Sequence, residues 1–522
     1  MVLMHCAAAD AQPRILNAES FRHYFDSFNR DDHELHSTAI PNSRSWEFMS
    51  PNIPLLDCPD SIISQTYYFR WWTYRKHIKK TPEGFIISEF LPDVPWAGKY
   101  NGISCPAAFH FYEGRWLHDT TYLSRYADYW FHGGGDPRRY SFWAADAIYN
   151  FCLVSGDFSL AERLLPDLIQ NYREWEKQHF NAAIGLFWQT DNRDGMEVSI
   201  CGNPYGGKGY RATINSYMYG DAIAIAKIAR LSNQPRTAIE FENKARAIKN
   251  NVQQKLWDNN ASFFKVLPPT AGAALCDTRE LHGYTPWYFN LADPQYDQAW
   301  KFLMDSSYFY APFGPTSAER SHPGFTIAYT GHECQWNGPS WPYATTVTLT
   351  ALANLLNSGR QEFIGKEDYY QLLSIYARSH SRIREEGKLV PWIDENLNPF
   401  NGDWISRTRL KTWDNGTWSP EKGGEERGKD YNHSAFCDLV ITGLIGLRPQ
   451  PNNSILIHPL LPEGKWDYFC LDNVRYHGRI LTVVYDRTGK KYKKGKGLSV
   501  YIDGKKAASV RTLKKLTATN VY

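Results

Sequence analysis

The chain of 522 residues is 43% hydrophobic and 22% charged, enough to bury a large core in more than one structural unit. Its 58 Lys and Arg against 55 Asp and Glu leave a net charge of +3, which supplies no broad field for nucleic acid or an anionic membrane. No apolar run reaches the roughly 18 residues of a membrane helix, and the 9 cysteines are scattered without CxxC or Cys/His spacing, so no disulfide framework, metal site or cofactor is implied.

In chain order, Ala9-Asp10-Ala11 has the small-x-small form of an export cleavage site, which leads us to expect a periplasmic or secreted protein. Residues 1–55 are polar and broken by Pro, and are expected to pack as extended segments outside the main body. From Ser61, Ile62, Ile63, Tyr67, Phe69 and Trp72 recur at helical spacing. A loop rich in Pro and aromatics runs from Phe85 to Tyr100, and helices are expected over Asp119–Trp130 and Tyr140–Val154. Asp157 is the expected N-cap of a third helix, with a separate fourth over Pro166–His179. Beyond an acidic loop, Thr213–Leu231 is small and apolar, through Ala222, Ala224 and Ala226, whereas Arg236–Trp257 is charged and amphipathic. Pro294–Met304, Pro342–Ser358, Glu367–Glu386 and Ser434–Leu447 give further helices. Apolar helices alternating with more polar ones are what a double ring needs, the inner set buried on all sides and the outer set keeping one wet face. A solenoid would instead show a fixed repeat of roughly 30 to 45 residues, which is absent. After Pro449 the runs Ser454–His458, Val474–His477, Ile480–Tyr485 and Leu498–Ile502 read as strands, with Asp503-Gly504 as a hairpin turn. The expected organisation is mainly α: an extended segment 1–55, a helical toroid 56–448 and a small β-sandwich-like domain 449–522.

Aromatic residues make up 15% of the chain, with 19 Trp, and aromatic faces stack on sugar rings. The stretch Trp188–Ile200 crowds Asp191, Asp194 and Glu197 around Arg193, too irregular for an amphipathic helix and too polar for a core strand. Such acids often only cap the next helix. A second acidic loop, Val390–Gly402, carries Asp394 and Glu395 beside Trp392. Cleaving a glycosidic bond takes one carboxylic acid to protonate the leaving oxygen and one carboxylate to activate water. The acid must stay protonated near neutral pH through burial or a neighbouring like charge. Asp194 has Trp188 and Met196 for the first and Asp191 and Glu197 for the second; Glu395 lies in a polar setting that suits a base. Glu333, Glu425 and Glu426 compete for the base. Trp96 and Tyr100 stack sugar or plug the helix ends, and Arg115 either binds sugar hydroxyls or pairs with Asp119. His110, His282, His332 and His433 stand singly, as hydrogen-bonded loop histidines do.

Four segments carry a family resemblance, in the family's order. Asp194-Gly-Met-Glu resembles the Ser-Gly-x-Asp-Asn-Ser segment of the trehalases and family 63 glycoside hydrolases, whose Asp is the general acid. Glu395-Asn-Leu-Asn-Pro-Phe-Asn-Gly402 resembles their Glu-Asn-Tyr-Asn-Pro-x-Thr-Gly segment, whose Glu is the base. Gln335-Trp-Asn-Gly-Pro-Ser-Trp341 is similar to their pocket-lining Trp-Arg-Gly-Pro-x-Trp, and Phe142-Trp143-Ala-Ala-Asp146-Ala to Phe-Trp-Asp-x-Gly-Phe. The resemblance extends to mannosylglycerate-hydrolase-like domains, β-L-arabinofuranosidases and α-L-rhamnosidases. It implies an (α/α)6 six-hairpin glycosidase fold and an exo-acting, inverting hydrolase of a terminal α-glucoside-like sugar, with Asp194 as acid and Glu395 as base. Its pocket would draw on Trp96, Tyr100, Arg115, Trp143, Asp146, Arg193, Glu197, Trp336, Asn337, Trp341 and Trp392. Asn337 stands where the family has Arg, and Asn192-Arg193 where a Ser-Gly would precede the acid, so the sugar stays open, as fold does not fix substrate. A polysaccharide lyase, a sugar epimerase and a noncatalytic sugar-binding protein are the rival readings.

Overall fold

The computed structural model describes residues 14–202, 206–328, 332–359, 361–384, 386–407, 424 and 426–519. The export-like Ala9-Asp10-Ala11 and the competing Glu425 lie outside the described residues.

Two kinds of helix build the body. Ala107–Gly114, Ala144–Ser155, Ala212–Leu231, Thr285–Tyr288, Pro342–Ser358 and the π-helical Leu439–Leu444 are buried on almost every side. Ala, Gly and Thr recur in them because small side chains let neighbouring helices approach closely. Ser159–His179 and Pro235–Lys255 bury single stripes, such as Leu164, Leu168, Tyr172 and Trp175 on the former, and keep a charged face in water. Ser61–Lys76, Thr121–His132, Pro294–Phe302 and Lys366–Ser379 complete this outer layer. Each inner helix packs on the next, and Ser61–Lys76 meets Lys366–Ser379 to close the outer circle. The result is an (α/α)6 toroid, as the alternation predicts.

The inner circle closes through charge. The Glu113 carboxylate accepts the backbone N–H groups of Phe436, Cys437 and Asp438 at 3.2, 2.9 and 2.8 Å, capping the last inner helix from across the ring. Beside it, Arg115 and Trp116 each donate to Asp438 at 2.7 Å. All of these groups are buried, so each must be paired to offset its lost hydration.

Some helix bounds differ from expectation. Residues 159–179 form one continuous helix that carries Pro166 inside it, with the Asp157 carboxylate accepting from Ser159 N at 2.9 Å at its start. The N-terminal segment is not extended. It holds the helices Arg22–Arg30 and Ser45–Asn52, whose Phe25, Phe28 and Trp46 bury against Ser61–Lys76. Its strand Leu55–Asp57 joins the C-terminal strands in an antiparallel sheet, pairing with Tyr468–Tyr476, which is followed by Arg479–Asp486, Gly497–Ile502 and Lys505–Val510. The Asp503-Gly504 turn has both φ angles positive, +46° and +77°, the twist a two-residue hairpin requires. Lys505 and Lys506 stand exposed on the edge strand, where charge discourages further pairing.

Glu113→Ala would strand three buried N–H groups. It should cost roughly 2–4 kcal/mol and lower the thermal unfolding midpoint, while Glu83→Ala, a surface change, should leave the midpoint unmoved; equal midpoints for the two variants would remove the ring-closing role of Glu113.

Candidate active site

Three loops meet at one end of the toroid and are stitched together by backbone bonds. Val198 and Gln335 form a parallel bridge, with Trp336 N donating to Val198 O at 2.9 Å. Ser340 and Leu397 form an antiparallel bridge. The loop after Thr190, the Gln335–Trp341 loop and the Glu395 loop are thus joined to one another.

Within the first loop the three acids point three ways. Asp191 is buried in an ion pair with Arg211, accepts from the Ser199 hydroxyl at 3.0 Å, and packs so close to Gly202 that a Cβ there would overlap its carboxylate. This knot is structural. Asp194 is also buried, bonded to the Thr213 hydroxyl, and lies behind the cavity wall with Met196 and His282. Glu197 reaches the cavity itself.

That cavity, about 410 Å³, is lined by carboxyl groups from four loops: Glu89, Glu197, Glu333 and Glu395. Arg427, fully buried, divides them. It donates to Glu395 and, at 3.0 Å, to Glu333, and is itself sandwiched near Phe90 and Trp96. Burial works against its charge, yet the two carboxylates outweigh this and raise its pKa. Burial likewise pushes Glu333 upward, but the guanidinium prevails and holds it below the usual carboxylate value. The other two have no ion pair among the described residues. Glu197 is pushed up to about 8, first by burial and then by the charges of Glu395 and Glu333. Glu89 also rises to about 8, by burial and by Glu395 and Glu197, despite a hydrogen bond from the Tyr431 hydroxyl. On Glu395 three donors converge: Arg427, the Ser406 hydroxyl at 3.1 Å and the Cys334 thiol at 3.2 Å.

Of the residues expected in the pocket, Trp96, Arg193, Glu197, Trp336, Trp341 and Glu395 line this cavity. Trp336 and Trp341 stack at 4.4 Å, and the Trp341 indole donates to Gln335 O at 2.7 Å. The others lie elsewhere. Asp194 sits behind the wall. Arg115 is committed to Asp438, and Asp146, which accepts from the Tyr112 hydroxyl at 2.5 Å, shares a separate cavity with it. Trp143 is core, stacked on Tyr217 at 4.3 Å. Trp392 lies behind the Glu395 loop under Arg382 and Arg407; Asn337 is buried behind the wall, and Tyr100 lies under Lys99 outside the cavity.

Sequence reasoning missed Glu89, Tyr431 and Arg427. The last sits in a Gly/Lys-rich run that reads as solvated, and only its pairing with distant acids turns it inward. For Glu197 a signal existed: aligning Gly195 with the glycine of Ser-Gly-x-Asp puts the family's acid at Glu197, two residues beyond it.

A toroid of this kind with paired carboxyl groups in one end cavity defines a glycoside hydrolase. Residues 99–434 match the family model for the mannosylglycerate hydrolase MGH1-like glycoside hydrolase domain, and the chain belongs to that family. Residues 447–508 match the C-terminal domain of glycosyl hydrolase family 65. A solved structure named sialidase is 40% identical over 97% of this chain, with a TM-score of 0.88, and the chain spans 45% of its length. The family 78 rhamnosidase of Bacillus sp. GL1 (TM-score 0.53, 11% identity, 88% of this chain and 42% of that one) shares the fold. So does the family 63 mannosylglycerate hydrolase of Thermus thermophilus with Tris and D-glycerate (TM-score 0.50, 13% identity, 72% of this chain and 100% of that one).

Arg427→Met removes the shared cation and should cost roughly 3–5 kcal/mol at neutral pH. The depressed value of Glu333 makes its ionised form stabilising above the carboxylate range and lost as pH falls through it. The deficit of the variant should therefore shrink as pH falls below about 4; thermal unfolding of both proteins as a function of pH checks this, and a constant deficit would contradict it.

Proposed function

We propose that the chain is an exo-acting glycosidase that removes a terminal acidic sugar by direct attack of water, with Glu197 as general acid and Glu395 as general base. The observation that carries this reading is the division of carboxyl groups in one cavity: Glu395 is paired with Arg427, while Glu197 has no ion pair among the described residues and burial pushes it up to about 8. Glu197 gives its proton to the glycosidic oxygen as the bond to the anomeric carbon breaks. Glu395 takes a proton from the water that attacks that carbon, so the product inverts. A cavity of this size suits one terminal residue, which supports exo action. For the acidic sugar the support is Arg139 and Arg193, which line the cavity with no carboxylate partner among the described residues. Such guanidinium groups select a carboxylate over a neutral hexose. The 40%-identical structure named sialidase points the same way.

Glu197→Gln should lose about 100- to 10,000-fold on a natural glycoside and much less on an aryl glycoside with a good leaving group, whereas Glu395→Gln should slow both. Asp194→Asn, behind the wall, should leave that leaving-group dependence as in the wild type. NMR of the first-formed product should show the inverted anomer; retention would remove water as the direct nucleophile.

The pH profile and the substrate class are read separately. Since Glu197 must hold its proton, kcat/KM should fall as pH rises through about 8. Arg193→Ala should raise KM for a sialoside about 10- to 100-fold and leave a neutral aryl glycoside unaffected. Faster cleavage of α-rhamnosides or α-glucosides than of sialosides would overturn the acidic-sugar reading while leaving the acid and base in place.

A further inference from the structure

Four carboxyl groups share the cavity, and Arg427 is hydrogen-bonded to two of them, Glu333 and Glu395. If Glu197 is the acid, Glu89 has no part in the proton transfers. It is nevertheless built in. Its side chain is only 5% exposed, and one oxygen accepts from the Tyr431 hydroxyl. Its backbone is fixed by Asn432, whose N–H donates to Glu89 O at 3.1 Å and whose amide donates to Ser88 O at 3.2 Å. The other carboxyl oxygen has no hydrogen bond among the described residues, and the side chain lines the cavity. A buried carboxylate in that place would face Glu395 with no ion pair among the described residues, an arrangement that proteins relieve by keeping the proton.

Resting on the proposed function, we infer that Glu89 binds the terminal sugar as a neutral carboxylic acid, donating a hydrogen bond to an acceptor oxygen of the sugar through the oxygen that Tyr431 leaves open. A protonated carboxyl differs from a carboxylate in having a donor, and it brings no negative charge toward an acidic ligand. Glu89 is thus a positioning residue of the sugar site. The charged and titratable groups that face it are Glu395, Arg427 and Glu197, and the weak acids around it are Tyr431, Cys105, Tyr140 and Tyr126. Burial and the two acids favour the neutral form, and Arg427 and the Tyr431 bond oppose it. Above about 8 the proton leaves, and with it the bond to the sugar.

The test is the pH dependence of KM for three variants with the best-cleaved aryl glycoside as the probe, each checked for an unchanged melting temperature. Glu89→Gln keeps a donor and cannot ionise. It should match the wild-type KM near neutral pH and lose the wild-type rise in KM at alkaline pH. Glu89→Ala should raise KM about 3- to 10-fold at all pH values with kcat little changed. Tyr431→Phe removes a bond that favours the ionised form, so the alkaline rise should move to higher pH. A Glu89→Gln variant as impaired in KM as Glu89→Ala, or one that retains the alkaline rise, overturns the inference. A loss of kcat confined to poor leaving groups in Glu89→Gln also overturns it, since Glu89 would then be the acid. Should Glu197→Gln prove fully active, the proposed function fails, while the KM pattern of Glu89 is read independently of it.

Discussion

The site depends on one buried guanidinium with two carboxylate partners among four carboxyl groups. Arg427 pairs with Glu333 and Glu395, and the two carboxyls without an ion pair among the described residues, Glu197 and Glu89, are pushed up to about 8. Charge in a low-dielectric cavity is expensive unless paired, so adding a cation would ionise a further acid and removing Arg427 would protonate or expose its partners. In the proposed mechanism acid and base are set apart by which carboxylates Arg427 pairs with, the charge of Glu395 helping to raise Glu197. The same division of labour appears wherever two titratable groups of one site are pushed in opposite directions.

The toroid makes this allocation possible by fixing loops from distant parts of the chain. Its inner helices are closed by Glu113, Arg115 and Asp438 on one side of the ring. At the cavity end the bridges Val198–Gln335 and Ser340–Leu397 tie together the loops that bear Glu197, Trp336 and Glu395. Asn396, fully buried, adds a third tie: its amide donates to Glu333 O at 3.1 Å and its carbonyl accepts from Ser406 N at 3.1 Å. Preorganisation of this sort is what lets a polar cavity keep its charges aimed before substrate arrives.

Periodicity made the double ring legible, because an inner helix such as Ala212–Leu231 and an outer one such as Pro235–Lys255 differ in composition along their whole length. The β runs after Pro449 were equally plain, although the Leu55–Asp57 strand that completes their sheet is too short to show a pattern. In the site, the two acidic loops could be found and the direction of each acid could not. Asp191, Asp194 and Glu197 look alike in sequence, and what separates them is Arg211, Thr213 and the cavity. Arg115 is misplaced and Arg427 missed for the same reason. Their partners lie 323 and 32 residues away, and no local pattern tells whether a charged side chain turns inward to meet them.

The measurement closest to the central claim is the proton occupancy of the four carboxyl groups at neutral pH, by neutron diffraction from a deuterated crystal. Deuterium is expected on Glu197 and Glu89 and on neither Glu333 nor Glu395, both facing a fully protonated Arg427. Deuterium on Glu395 with Glu197 bare would contradict that claim.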